Sequence, residues 1–203
     1  MLTYHFDESA PCFFMIENND YSDIIEKAYE HSRIVFEELH KYPELGNMEY
    51  NTAQLIENNL QAFGLDTERI LKTSVISGQG NNGKVKIAIR ADIDAISVSE
   101  ETGLPYKSVN NGVMHACGHD AHTAILIGFA KLCSDIKDYL PEVDILYIFQ
   151  QDEEGDGKGK YISESGIIDD CDAVIGFHVM PELNAGTVGI KRESHLALQR
   201  CLI

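Results

Sequence analysis

The sequence predicts an α/β fold, with a largely parallel sheet covered by helices, and three observations carry that expectation. Apolar residues recur at helical spacing in the first third of the chain, runs rich in β-branched residues follow, and strand-like and helical segments then alternate. At 203 residues and 44% hydrophobic content the chain can bury a real core.

Taken in order, residues 1–20 contain Pro11 and the polar run Glu17-Asn18-Asn19-Asp20 and read as an irregular leader. Ser22 or Asp20 can cap a helix in which Ile24, Ile25, Ala28, Tyr29, Ile34, Val35 and Leu39 recur up to His40, and Lys41-Tyr42-Pro43 stops it. A second helix is predicted from Tyr50 or Asn51 to Phe63, with Gly64 as its stop. The turn-forming run Gly78-Gln79-Gly80-Asn81-Asn82-Gly83 precedes a strand over residues 85–91. Its glycines match the G-x-G-x-x-G spacing of a dinucleotide loop, but that loop follows a strand and opens a helix, so a hairpin or strand turn is the better reading. A helix over residues 121–132, a strand over 143–149, a helix over 160–165 and a strand over 173–177 complete the alternation.

Sixteen basic against 33 acidic residues give a formal net charge of −17, which opposes binding to nucleic acid or to an anionic membrane and favours small-molecule chemistry. No segment reaches the roughly 18 apolar residues of a membrane span, and the acidic start lacks the basic, apolar pattern of a secretory signal. The cysteines at 12, 117, 133, 171 and 201 are odd in number and irregularly spaced, so reduced thiols and a cytoplasmic location are expected.

The chemistry concentrates in Met114-His115-Ala116-Cys117-Gly118-His119-Asp120-Ala121-His122, which packs three histidines, a cysteine and a carboxylate into nine residues. Cys117 as thiolate and His119 as neutral imidazole are good ligands for a divalent transition metal, and two residues apart on a loop they can share one. A cysteine between Ala and Gly is by itself an ordinary small buried residue, and a Glu-Glu pair is ordinarily a solvated surface. Position argues otherwise: Asp92 and Asp94 follow one predicted strand, Glu153 and Glu154 a second, and His178 a third, and the carboxyl ends of parallel strands form one rim. Neighbouring side chains after a strand point apart, so one of Glu153 and Glu154 can bind metal while the other addresses a water. Asp94 can orient a ligand from behind. His115 and His122 are assigned to hydrogen bonding and helix-start packing, and His5, His31, His40 and His195 have no identifiable partners.

Six segments occur in order: Leu39-His40-Lys41-Tyr42-Pro43-Glu44-Leu45-Gly46, Ile89-Arg90-Ala91-Asp92-Ile93-Asp94-Ala95, Glu101-Thr102-Gly103-Leu104-Pro105-Tyr106, residues 113–122, residues 149–155 and Gly176-Phe177-His178-Val179. Over about residues 30–190 the chain thereby resembles the M20 metallopeptidase superfamily, in the amidohydrolase branch of N-acyl-amino-acid amidohydrolases, hippurate hydrolases and auxin-conjugate hydrolases. The resemblance implies that residues 21–203 are the N-terminal portion of a catalytic domain with two divalent metal ions, manganese or zinc. Cys117, His119, Glu154 and His178 fall on the family's ligands, Glu153 on its general acid/base, and Asp94 on the acidic residue of its D-x-D motif. The implied reaction is hydrolysis of the amide bond of small-molecule N-acyl amino acids or amino-acid conjugates.

The resemblance also marks departures. Family enzymes continue past the strand expected at residues 186–189 into a lid or dimerisation domain and then return to supply a further histidine ligand. The chain is therefore expected to be truncated, which leaves its oligomeric state open and raises an alternative, a catalytically silent homologue acting as a metal-binding or interaction module. Gln151 and Asp152 stand where the family commonly has Pro and Ala, Ser97 replaces a usual proline, and Asp156, Lys158 and Lys160 occupy a usually glycine-rich run.

Overall fold

Helix α1 spans Ser22–Lys41 and turns Ala28, Val35 and Leu39 inward, the stripe that the apolar spacing predicts. Helix α2, Tyr50–Ala62, buries Ala53, Ile56 and Leu60, and its first turn is capped from outside, where the Glu44 carboxylate accepts the Thr52 N–H at 2.8 Å. Strands β1 (Thr67–Ile70), β2 (Ser74–Gln79) and β3 (Val85–Asp92) come next, then α3 (His119–Asp135), β4 (Val143–Gln150), α4 (Gly159–Glu164) and β5 (Ala173–Gly176). This computed structural model describes residues 21–80, 83, 85–140 and 142–189.

The strands form one sheet in the order β1-β2-β4-β3-β5. β3 runs parallel to both β4 and β5, whereas β2 is antiparallel to β1 and to β4. The expected parallel character thus holds for β4, β3 and β5, and an antiparallel pair absent from the sequence reading flanks them. β2 and β3 lie on opposite sides of β4 and so do not pair as a hairpin; of the glycine run, Gly78 and Gln79 end β2, and residues 81 and 82 lie outside the described residues.

β4 has a neighbour on each side and alternates its side chains between two cores. Ile145, Tyr147 and Phe149 join Val35, Leu39, Ile56, Leu60 and Ile127 from α1, α2 and α3 on one face. On the other face, Leu146 and Ile148 pack with Ala88 and with Ile162 of α4. Helices therefore cover both faces of the sheet, and the buried β4 and β3 fix the backbone from which the site loops leave.

Chain contacts divide the protein into two units, residues 22–179 and residues 1–21 with 180–203. The elements above belong to the first. In the second, residues 180–189 form turns closed by the Leu183 N–H on the Met180 carbonyl and the Thr187 N–H on the Asn184 carbonyl. No strand forms at residues 186–189, contrary to the sequence expectation. The leader expected over residues 1–20 lies outside the described residues.

Candidate metal centre

The parallel order β4-β3-β5 brings the carboxyl ends of three strands together, with Asp92 ending β3 in the middle. Glu153 and Glu154 leave β4 on one side, and His178 leaves β5 on the other. Cys117 arrives on the loop before α3, and His119 is that helix's first residue. Gly118 makes the junction possible. Its φ is +84°, and a Cβ there would sit 2.4 Å from Cγ2 of Val179, so both backbone and space require glycine.

His119 is the hub. It is 1% exposed, and among the described residues each of three sets of side chains able to hold a cation includes it: with Cys117 and His178, with Asp92 and His122, and with Glu153 and Glu154. Within each set the candidate ligand atoms lie within 4.8 Å of one another. The Nδ1 of His119 lies 3.3 Å from Oδ1 of Asp94, whose Oδ2 accepts the Glu154 N–H at 2.9 Å. Asp94 therefore touches one candidate ligand and the backbone of another. The Nε2 of His119 is buried with no hydrogen-bond partner, 3.7 Å from Oε1 of Glu154 and 3.7 Å from Oδ1 of Asp92. A bare imidazole nitrogen among carboxylates fits a divalent cation, which would replace its missing partner.

His178 is oriented in the same manner. Its Nδ1 donates to the Val179 carbonyl at 2.6 Å, leaving Nε2 turned to Sγ of Cys117 at 3.5 Å. The set containing Asp92 and His122 is closed by its own bonds. The Val179 N–H donates to Nε2 of His122 at 2.9 Å, so the proton of that ring sits on Nδ1 and points to Oδ1 of Asp92 at 2.6 Å. His122 is thus a clasp between β3 and the loop after β5, which gives the supporting role read from the sequence a specific form.

The electrostatics match a site built to receive positive charge. Burial, then the hydrogen bond and charge of Glu154, pushes the Cys117 thiol up to about 12, so a cation is what would make it a thiolate. Burial raises the Glu153 carboxyl above its ordinary range, reinforced by the charges of Asp92 and Glu154. Burial works the same way on Asp92, but the His122 hydrogen bond and the charges of Arg90 and His119 outweigh it and hold that carboxyl low. Burial lowers His119, yet the Asp94 hydrogen bond and nearby carboxylates reverse the balance and raise it.

Several sequence readings change. His115 was expected to make hydrogen bonds, but both ring nitrogens are buried without partners, and burial holds its pKa down to about 4. His40, to which no partner was assigned, has its Nδ1 2.6 Å from Asp120 and its Nε2 3.2 Å from Glu100. His31 pairs with Asn59 at 2.7 Å. Asp92 was placed at the rim but given no role, and the local signal for it was the strand itself, whose last residue it is. His5 and His195 lie outside the described residues.

The sequence profile of peptidase family M20/M25/M40 matches residues 88–193. An N-acetyl-L-cysteine deacetylase of Bacillus subtilis is 44% identical over 155 residues, covering 75% of this chain and 37% of its own length. An N-acyl-L-amino acid amidohydrolase of Geobacillus stearothermophilus is 44% identical over 157 residues, 75% of this chain and 42% of its own. The chain thus spans about two fifths of the length of these relatives. The crystal structure of a Bacillus subtilis protein described as a dinuclear metal binding peptidase from the M20 family superposes with a TM-score of 0.75 at 37% identity, covering 82% of this chain and 47% of that one. With a family profile over residues 88–193 and a fold that superposes on that of an M20 protein, the chain belongs to peptidase family M20/M25/M40.

Proposed function

We propose that the chain carries the metal-binding and proton-transfer residues of an amidohydrolase that cleaves the amide bond of N-acyl amino acids or amino-acid conjugates. The observation that carries this reading is the bare, buried Nε2 of His119 facing Glu154, beside Cys117 and His178. The names of the relatives support the substrate class. Cys117, His119, Glu154 and His178 would hold two divalent ions, zinc or manganese, the thiolate favouring the softer of these. When bound, the ions supply positive charge that polarises the scissile carbonyl and eases deprotonation of water. Glu153 takes the proton of the attacking water and passes it to the leaving amine nitrogen, and its raised pKa brings it nearer neutral pH, where both transfers are efficient. Asp94 keeps Nδ1 of His119 engaged so that Nε2 faces the ions. Cys117, Cys133 and Cys171 are free thiols, which supports a reducing, cytoplasmic setting.

Two measurements test the proposal. Metal analysis after dialysis against zinc or manganese should find bound ion, and a protein that stays metal-free with unchanged stability refutes the reading. Glu153→Gln should lower turnover of N-acetyl amino acids about a hundredfold to ten-thousandfold while metal content is retained.

A further inference from the structure

Gln151 and Asp152, the two residues directly before the glutamate pair, are both buried. The side-chain oxygen of Gln151 accepts the N–H groups of Lys72, Thr73 and Ser74 at 2.9, 2.7 and 3.2 Å, and its Nε2 donates to Oδ1 of Asn47 at 2.7 Å. Asp152 donates its N–H to Oε1 of the fully buried Glu49 at 2.8 Å, and Oε2 of Glu49 accepts the Thr73 hydroxyl at 2.6 Å. Oδ2 of Asp152 accepts from Nδ2 of Asn47 at 2.6 Å and lies 3.4 Å from Nζ of Lys158. Its other oxygen lies between Gly46 and Gly155, where a Cβ would come within 2.2 and 2.3 Å.

The backbone bears the mark of this knot. Among the described residues, the non-glycine positions at positive φ are Asn47, Leu71 and Asp152, at 65°, 54° and 51°. Asn47 and Asp152 are members of the knot, and Leu71 precedes the three amides that Gln151 gathers. Strained backbone persists only where its surroundings over-determine it, and it gathers at sites whose geometry must be held. Directly after Asp152 come Glu153 and then Glu154, whose N–H is seated on Asp94.

We infer that Gln151, Asp152, Asn47 and Glu49 form a lock that positions the glutamate pair, holding the chain after β4 in a left-handed turn that presents Glu154 to His119 and leaves Glu153 free for proton transfer. This rests on the proposed function for its purpose, though the lock itself can be read without metal. Asn47 and Glu49 come from the loop between α1 and α2, far from the reacting groups in sequence, and act as positioning residues.

The test uses the 203-residue chain with Asp152→Ala, Asp152→Asn and Asn47→Gly. Asp152→Asn keeps an acceptor oxygen and tolerates the left-handed backbone, while Asn47→Gly keeps its own φ and removes only the carboxamide. Amide exchange at Glu154 is read against Ile148 in β4, and cobalt(II) affinity is read by titration. In Asp152→Ala and Asn47→Gly, Glu154 should exchange about tenfold faster while Ile148 is unchanged, and cobalt(II) should bind about tenfold more weakly. Asp152→Asn should stay within about threefold of the wild type on both measures, since it keeps the acceptor. A merely structural role accelerates Glu154 and Ile148 together and leaves the cobalt affinity of the folded protein unchanged. The lock is refuted if Glu154 keeps its protection in folded Asp152→Ala and Asn47→Gly; should Asp152→Ala fail to fold, Asn47→Gly decides. If the wild type binds no cobalt, the metal reading falls, and exchange at Glu154 still decides the lock.

Discussion

The two sides of the candidate centre are built differently. On the β3 and β4 side, Asp92, Asp94 and His119 are all at or below 2% exposure, and their orientations are set by buried hydrogen bonds to neighbours on rigid elements. On the β5 side, all four residues of the strand are exposed, and the loop carrying His178 is tied down by the Val179 N–H on His122. One side is preorganised by the core, whereas the other depends on a clasp from the core side. Ligand geometry at such a centre is as firm as its less supported half, which makes His122 as consequential as a ligand.

The largest separation between the two sides should come from removing one imidazole from each. His119→Ala leaves Asp92 and Asp94 buried without that partner and should cost about 3 kcal/mol of unfolding free energy. His178→Ala, at the half-buried edge, should cost less than about 0.5 kcal/mol. Urea denaturation of the two variants measures the gap, and equal losses would remove the distinction between the sides.

A smaller effect tests the clasp. His122→Ala should speed amide exchange at Val179 about tenfold while the β3 amides paired to β4 keep their protection. Unchanged exchange at Val179 would mean that the β5 side is held by something other than His122.

The smallest effect concerns pH, on the well-supported side. The Asp120 hydrogen bond raises His40 above its ordinary pKa; burial opposes this, and Glu100 adds to it. A group whose folded pKa lies above its unfolded value contributes fully below the unfolded value, near 6.5, and loses that contribution as pH rises through the folded value. The stability difference between the wild type and His40→Gln should therefore be greater at pH 6 than at pH 9, by urea titration at both. A constant difference would show that His40 acts through packing with Phe36 and Tyr106 and not through charge.

The legibility of each feature in the sequence depends on the range of the interaction behind it. Helical spacing located α1, α2 and α3, and β-branched runs located β3, β4 and β5, because those patterns are local. Thr67–Ile70 and Ser74–Gln79 carry no such signal: the first is polar and short, the second contains Gly78, and each is a strand by virtue of its pairing partner. In the site, Cys117, His119, Glu154 and His178 stood out as chemically capable residues on convergent loops. The bonds that orient them were hidden, since Asp92 meets His122 across 30 residues and Val179 meets His122 across 57. No periodicity encodes contacts of that kind.

The start of α3 at His119 has a consequence for how substrate arrives. Seventeen residues of aligned peptide dipoles end at the candidate centre, equivalent to about half a positive charge at that point. The chain as a whole carries −17 and the carboxyl groups of Asp92, Asp94, Glu153 and Glu154 gather at the same point, so the helix end offsets only part of a field that repels the carboxylate of the acyl amino acids proposed as substrates. Salt weakens that repulsion by screening it. Capture of an anionic substrate should then quicken as salt is added, the reverse of the behaviour of an enzyme that steers its substrate from afar.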